Sequence, residues 1–384
     1  MTHTLANIDW LRCALPDHPS SDPRYHHPFF QRQLDAAMEH ALAQPTLASP
    51  RLSTWFRKNR SLGSKDRKRV QNAVFGLIRH GHLLQRAQMW QKKPWSHCWI
   101  AIAEGERFES LSHRSPREDF SCALSLPSWI TEEWRQKHSP IQCAKLAQAI
   151  NQQAPLYIRA LHTKATVLQD ILRKENVHAE CVPQSPWALK LLQRINVHQS
   201  PAFRKGLFEV QDLSSQLLCE HIAQRCPPKS TILDLCAGAG GKSLGLAALG
   251  LNTYATDIRS SALAELQKRA KRTKLRIHMG IPKHIDAVLI DAPCSGLGRI
   301  RRDPAVRWRY HTADDIDTTS QRNLLSRATM LLKNQGTLIY ATCSLLNIEN
   351  NHRVTNWNQQ SEQWLWPEHG DGFFWQILYP SRTR

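Results

Sequence analysis

The chain has 384 residues, 51 Lys and Arg against 32 Asp and Glu, a formal charge of +19, and ten cysteines. That excess favours an extended anionic partner, RNA or DNA before a membrane surface, because no apolar run is long enough to span a bilayer. The start Met1-Thr2-His3-Thr4-Leu5 lacks the charged head and apolar core of a signal peptide, and the cysteines show neither Cys-x-x-Cys nor paired Cys/His spacing. A cytoplasmic protein of about two to three domains is expected, with free thiols, no disulfide framework and no metal site.

The first twenty-five or so residues, rich in Pro, His, Ser and Asp without a period, read as a loose leader. Gln31 to Leu42 and Val70 to Ile78 carry apolar residues at helical spacing. Between and beside them stand Arg57, Lys58, Arg60, Lys65, Arg67, Lys68, Arg69 and Arg79, with Trp55 and Phe56 interleaved and Asp66 as the single interruption. Such a run is either a solvated face or a surface for phosphates, and its density favours the second. From Trp90 to about Ser128 no clean period emerges. Ile130 to Trp134 and Cys143 to Ile150 read as helices, so an all-helical domain over 1–150 is expected. Tyr157 to Ala160, Ala179 to Val182 and Leu189 to Leu192 read as short strands around a helix from Thr163 to Arg173, giving a small α/β subdomain over 151–205.

From 206 to 384 the pattern becomes a regular alternation. Val210 to His221 reads as a helix; Thr231 to Leu235, Asn252 to Thr256, Leu275 to His278, Asp286 to Asp291 and Thr337 to Ala341 read as strands. Helices at Ser260 to Arg272 and Thr318 to Leu332 fall among them. Alternation of this kind predicts an α/β, Rossmann-like doubly wound parallel sheet, which binds ligands beyond the carboxyl ends of its strands.

Three features there carry chemistry. The loop Cys236-Ala237-Gly238-Ala239-Gly240-Gly241-Lys242 follows the first strand; its small residues let a ligand approach the backbone beside a helix N-terminus. It is neither a P-loop nor a full Gly-x-Gly-x-x-Gly fingerprint, and Asp257 ends the second strand, where a carboxylate binds a ribose diol. A nucleoside without a required pyrophosphate points to S-adenosylmethionine ahead of NAD. The fourth strand runs into Asp291-Ala292-Pro293-Cys294-Ser295-Gly296, and the fifth into Thr342-Cys343-Ser344. If those strands are neighbours, their ends lie about 5 Å apart and both thiols face one cleft. A thiolate adding to carbon 6 of a pyrimidine makes carbon 5 nucleophilic, and a second group then assists release. Asp291 would contact the ring, and Lys242 would favour the thiolate or hold the base. Spacing treats Cys294 and Cys343 alike.

These motifs, together with Val210-Gln211-Asp212-Leu213-Ser214-Ser215-Gln216, Arg302-Asp303-Pro304, Gln321, Glu349-Asn350 and Asp371-Gly372-Phe373-Phe374, resemble the RsmB-type (Sun) family of RNA (cytosine-5) methyltransferases. The resemblance is strong from Leu207 to about Trp357 and implies a methyltransferase sheet. It further implies that Cys343 is the nucleophile and that Cys294 assists release of the product. Cys236, Ala237, Gly238, Ala239, Gly240, Gly241, Lys242, Asp257 and Asp291 would line the cofactor and target-base site. Upstream, Leu62 to Lys68 resembles the family's NusB-like helical module, and Tyr157 to Leu192 its small RNA-contacting subdomain. The family's acidic residue after strand three has no counterpart in Ile277-His278-Met279-Gly280. RNA, ribosomal before transfer RNA, is the implied partner of a monomer. A noncatalytic RNA-binding or ribosome-assembly factor and a protein or DNA methyltransferase are the alternatives; the two thiols with Asp291 and Lys242 favour pyrimidine chemistry.

Overall fold

The structure, a computed structural model, describes residues 22–86, 93–104, 116–332, 336–354, 358–359 and 362–379. The expected leader up to residue 21 lies outside them, as do parts of the Trp90 to Ser128 stretch. The chain divides into two compact units. The first runs to Gln153 and takes back Arg299–Ile316; the second comprises Ala154–Gly298 and Asp317–Arg384.

The described part of the first unit is helical. Pro28–Leu42 buries Phe30, Leu34, Ala37, Met38 and Ala41, one stripe at helical spacing, and a proline in the first turn starts it three residues before the expected Gln31. Ser64–Arg79 buries Val70, Ala73, Val74, Leu77 and Ile78. Gly76 is required there, because a Cβ would stand 2.0 Å from the Trp99 ring. Ser128–Lys137 and Pro140–Asn151 follow, the second opened by a capping box between Ser139 and Gln142.

Arg299–Ile316 corrects the expectation of an unbroken domain over 206–384. Arg307 is 1% exposed and donates to the carbonyls of Arg79 (2.6 Å) and Ile150 (2.9 Å) and to Asn151 Oδ1 (3.1 Å). Trp308 stacks on His82 and donates to the Ile78 carbonyl. A guanidinium surrounded by backbone oxygens satisfies helix carbonyls that have no intrahelical donor, so the segment belongs with the helices that it caps. Burial pulls this guanidinium well below its ordinary pKa.

The second unit holds two sheets. The smaller has strands β1 (Leu156–Ala160), β2 (Ala179–Cys181), β3 (Ala188–Leu191) and β4 (Phe208–Val210) in the order β2-β3-β1-β4, all antiparallel. Helix Ala165–Lys174 packs on it through Leu168 and Leu172. β4 escaped the sequence reading because three residues carry too little pattern, and it extends the small sheet past the expected boundary at 205.

The larger sheet runs β10-β12-β9-β8-β5-β6-β7, with β11 also paired to β12. Its parallel part comprises β5 (Thr231–Asp234), β6 (Asn252–Ala255), β7 (His278–Met279), β8 (Ala287–Asp291) and β9 (Thr337–Thr342). β10 (Asn358–Gln359), β11 (Gln363–Leu365) and β12 (Phe373–Tyr379) are antiparallel. Alternate residues feed two cores. Ile232, Leu289, Ile339 and Trp375 pack under Leu218, Ile222 and Leu246, whereas Leu233, Ile290, Leu338 and Phe374 pack under Leu325, Ala328 and Leu332. A sheet buried on both faces explains the near-continuous apolar strands, and it is the doubly wound arrangement that the alternation predicted. β7 begins later than the expected Leu275, because Lys274 ends helix Ser260–Thr273 in the left-handed region and the Leu275 amide turns back to Ala270. No helix among the described residues is long and apolar enough to cross a membrane.

Candidate active site

β8 and β9 pair in parallel with Asp291 opposite Ala341, so the two Cys loops leave the sheet side by side. Cys294 Sγ and Cys343 Sγ are 3.4 Å apart and both partly exposed. The shared hydrogen bond with Cys343, followed by burial and the charges of Cys343 and Glu349, holds the Cys294 thiol well above its ordinary pKa. One of the pair thus keeps its proton and can donate it to the sulfur of the other.

Beside them Lys242 Nζ meets Asp291 Oδ2 at 2.5 Å, and the ammonium stands 5.0 Å from the Phe373 ring centre. Burial alone would lower the Lys242 pKa, but the charge and hydrogen bond of Asp291 outweigh it and leave the ammonium above its ordinary value, with the charges of Cys219 and Cys343 adding to the effect. Four residues named from the sequence, Lys242, Asp291, Cys294 and Cys343, therefore come together at the carboxyl ends of neighbouring strands.

The glycine loop is held more tightly than its composition implies. The Ala237 amide donates to the Thr256 carbonyl, the Gly238 amide to Asp257 Oδ2 (2.8 Å), and the Gly240 amide to the Ala237 carbonyl. These three amides brace the turn. Gly238 (φ +55°) and Gly240 (φ +83°) need their left-handed conformations, and a Cβ on Gly240 would also strike Leu266 at 2.0 Å. Over Gly241 nothing lies within 4 Å, and that is where the loop is open. Ala239 contributes its carbonyl to Arg269 (2.6 Å), and Gly241 its carbonyl to Gln211 Nε2 (3.0 Å). Burial pushes the Cys236 thiol up to about 12, which leaves it without the thiolate character of a reactive cysteine. Asp257 also accepts from Arg259, at the amide (2.9 Å) and at Nε (3.1 Å). Burial alone would raise the Asp257 carboxyl, but Arg259 and the Gly238 amide hold it below its usual range.

Glu349 organises both Cys loops. It is 1% exposed, and its Oε1 accepts from the Ser295 amide (2.7 Å) and Gln321 Nε2 (3.2 Å). Its Oε2 accepts from the hydroxyls of Ser295 and Ser344, each at 2.5 Å. Asn350 accepts from Thr342 Oγ1 (2.6 Å) and donates to the Ser344 carbonyl (3.1 Å), bracketing Cys343. Gly298 donates to the Cys343 carbonyl, and a Cβ there would lie 1.9 Å from the Gly372 carbonyl oxygen. Gln321, Glu349 and Asn350 stood in the motifs, but no role for them was visible. Buried polar residues that anchor loops have no periodicity, so only their partners reveal them.

A family model described as "16S rRNA methyltransferase RsmB/F" matches residues 223–371, and one for the RsmF/B-like ferredoxin-like domain matches residues 126–198. The "Ribosomal RNA small subunit methyltransferase B" of Proteus mirabilis is 31% identical over 277 residues, which span 66% of this chain and 65% of that protein. Its counterpart in Photorhabdus laumondii is 33% identical over 249 residues, spanning 60% of this chain and 57% of that protein. The chain thus spans about two thirds of the first relative and less of the second. Among solved structures, PH0851 has a TM-score of 0.70 at 20% identity, covering 94% of this chain and 99% of its own. That likeness shows the fold. Over residues 126–198 and 223–371, therefore, the chain is similar to the RsmB/F methyltransferases.

Proposed function

We propose that this protein transfers a methyl group from S-adenosylmethionine to carbon 5 of a cytosine in ribosomal RNA, through a covalent adduct with Cys343. The observation that carries the reading is the pair of thiols 3.4 Å apart beside the Lys242–Asp291 ion pair. Similarity to the RsmB/F model and to the ribosomal RNA methyltransferase of Proteus mirabilis supports the cofactor and the RNA substrate. The residues also suit the cofactor: the loop is open over Gly241, Gly238 is left-handed, and Asp257 offers a carboxylate where a ribose diol would lie. Bound there, S-adenosylmethionine supplies an electrophilic methyl group.

The chain's own residues do the rest. The Cys343 thiolate adds to carbon 6 of the ring, and the displaced electron pair makes carbon 5 nucleophilic. The Lys242 ammonium, held by Asp291, offsets the negative charge of that adduct. Once carbon 5 has taken the methyl group, its proton passes to water, the ring double bond re-forms and the bond from sulfur to carbon 6 breaks. Cys294, kept as a thiol, donates to the departing Cys343 sulfur and so lowers the barrier to release.

Cys343→Ala is expected to abolish methyl transfer to 16S ribosomal RNA while retaining cofactor binding, and Cys294→Ala to accumulate an RNA–protein adduct on a denaturing gel. Full activity in Cys343→Ala would overturn the assignment of the nucleophile.

A further inference from the structure

Helix Ser260–Thr273 and the turn after it carry a second cationic feature, Lys268, Arg269, Lys271, Arg272, Lys274 and Arg276, with no acid from Gln267 onward. The structure divides these six into two groups. Arg269 and Arg272 point inward, where both guanidinium groups bind the carboxylate of Glu209, itself 4% exposed. Arg272 also lies over the Phe203 ring at 3.8 Å. Lys268, Lys271, Lys274 and Arg276 are exposed. Lys268 has a loose pair with Glu265 at 3.8 Å, whereas Lys271, Lys274 and Arg276 have no carboxylate partner among the described residues.

Lys268 and Lys271, three residues apart, form a short stripe along the last turns of the helix, and Lys274 follows at its left-handed end. On one side the stripe borders a surface groove of about 380 Å³. Ala270, Leu275, Ile277 and Met279 give that groove an apolar wall, and Lys271, Lys274 and Arg276 give it a cationic rim. Cations in a last helical turn complement the helix dipole, which gives two of these residues an ordinary role. Arg276 lies beyond the helix and outside that effect, and a dipole asks for no apolar groove beside it.

We propose that this groove is a second RNA-binding surface, in which phosphates of the substrate RNA lie on Lys271, Lys274 and Arg276 and an unstacked nucleotide rests on the apolar wall. The inference rests on the RNA reading above and adds where a part of the RNA other than the target base is held. Single-stranded or looped RNA fits this chemistry better than a duplex, whose bases are not available to an apolar wall.

The test uses the full chain, a labelled RNA hairpin with a single-stranded loop, and the charge-reversed variant Lys271→Glu/Lys274→Glu/Arg276→Glu. Binding is measured over a salt series. The variant is expected to bind about tenfold or more weakly at low salt, and its plot of log affinity against log salt to be shallower by about two. Cofactor affinity, melting temperature and kcat at saturating RNA should stay as in the parent, with KM raised. Lys271→Arg/Lys274→Arg/Arg276→Lys should restore binding. An unchanged affinity and slope in the charge-reversed chain would overturn the surface and leave the methyltransferase reading standing. RNA that binds through this groove without ever being methylated would overturn the reading and leave the surface standing. A parent chain that binds no RNA would overturn both.

Discussion

Glu349 grips Ser295 twice, accepting from its amide at 2.7 Å and from its hydroxyl at 2.5 Å. The same carboxylate holds Ser344, so one buried charge fixes the residue after each cysteine. Glu349→Ala would strand these donors in a buried site and is expected to destabilise the second unit by about 3 kcal/mol, measured by denaturant unfolding. Glu349→Gln keeps the shape and removes the charge that helps to hold the Cys294 proton. Thiol alkylation in this variant should therefore shift to lower pH, and an unmoved profile would remove Glu349 from the electrostatics of the thiols.

The Lys242–Asp291 pair is asymmetric, since the lysine side chain is 12% exposed and the aspartate 29%. Asp291→Asn is expected to cost more stability than Lys242→Met, about 1–3 kcal/mol in total, because it leaves the deeper charge unpaired. The folded-state pKa of Lys242 lies above its ordinary value of 10.5, so its contribution is complete at neutral pH and is lost only as pH rises through the raised value. Unfolding measured from neutral to strongly alkaline pH should show the parent converging on Lys242→Met only in the alkaline range.

Asp234, 1% exposed at the end of β5, has the opposite sign. Burial pushes its carboxyl from 3.8 up to about 7, against the hydrogen bond from Ser243. The folded chain therefore holds a proton that the unfolded chain has released, and this group's contribution to stability falls as pH rises from about 4 to about 7. Asp234→Asn should flatten that fall in urea unfolding curves recorded across the window, and an equally steep fall would assign it to other groups.

The basic run of the first unit separates into two kinds of residue. Arg69 is committed to Asp22 (2.7 Å) and Asp66 (3.0 Å), and Arg67 to the Leu62 carbonyl (2.9 Å). Arg57, Lys58, Arg60, Lys65 and Lys68 are exposed. Reversing Lys65 and Lys68 should weaken RNA binding and make its salt dependence shallower by about one to two, whereas Arg69→Gln should chiefly loosen the tie between Asp22 and Ser64–Arg79. Equal RNA binding in all three chains would make the run a solvated face.

The sequence by itself determined the doubly wound sheet and singled out candidate residues at the carboxyl ends of its strands. Strands buried on both faces must be apolar throughout and stop at loops, so β5, β6, β8 and β9 announce themselves, and the carboxyl ends of parallel strands are where Asp257, Asp291, Cys294 and Cys343 stand. Order along the chain cannot show which strands are adjacent; the β8–β9 register decided that the two thiols touch. Tertiary structure alone decided that three glycine-loop amides turn inward, that Arg307 carries Arg299–Ile316 into the helical unit, and that Glu349 ties the two Cys loops together. Each of these is a hydrogen bond between residues far apart in the chain or a turn closed by left-handed backbone. Neither leaves a period in the sequence, because a polar contact is set by where two atoms meet and not by the spacing of residues along one element.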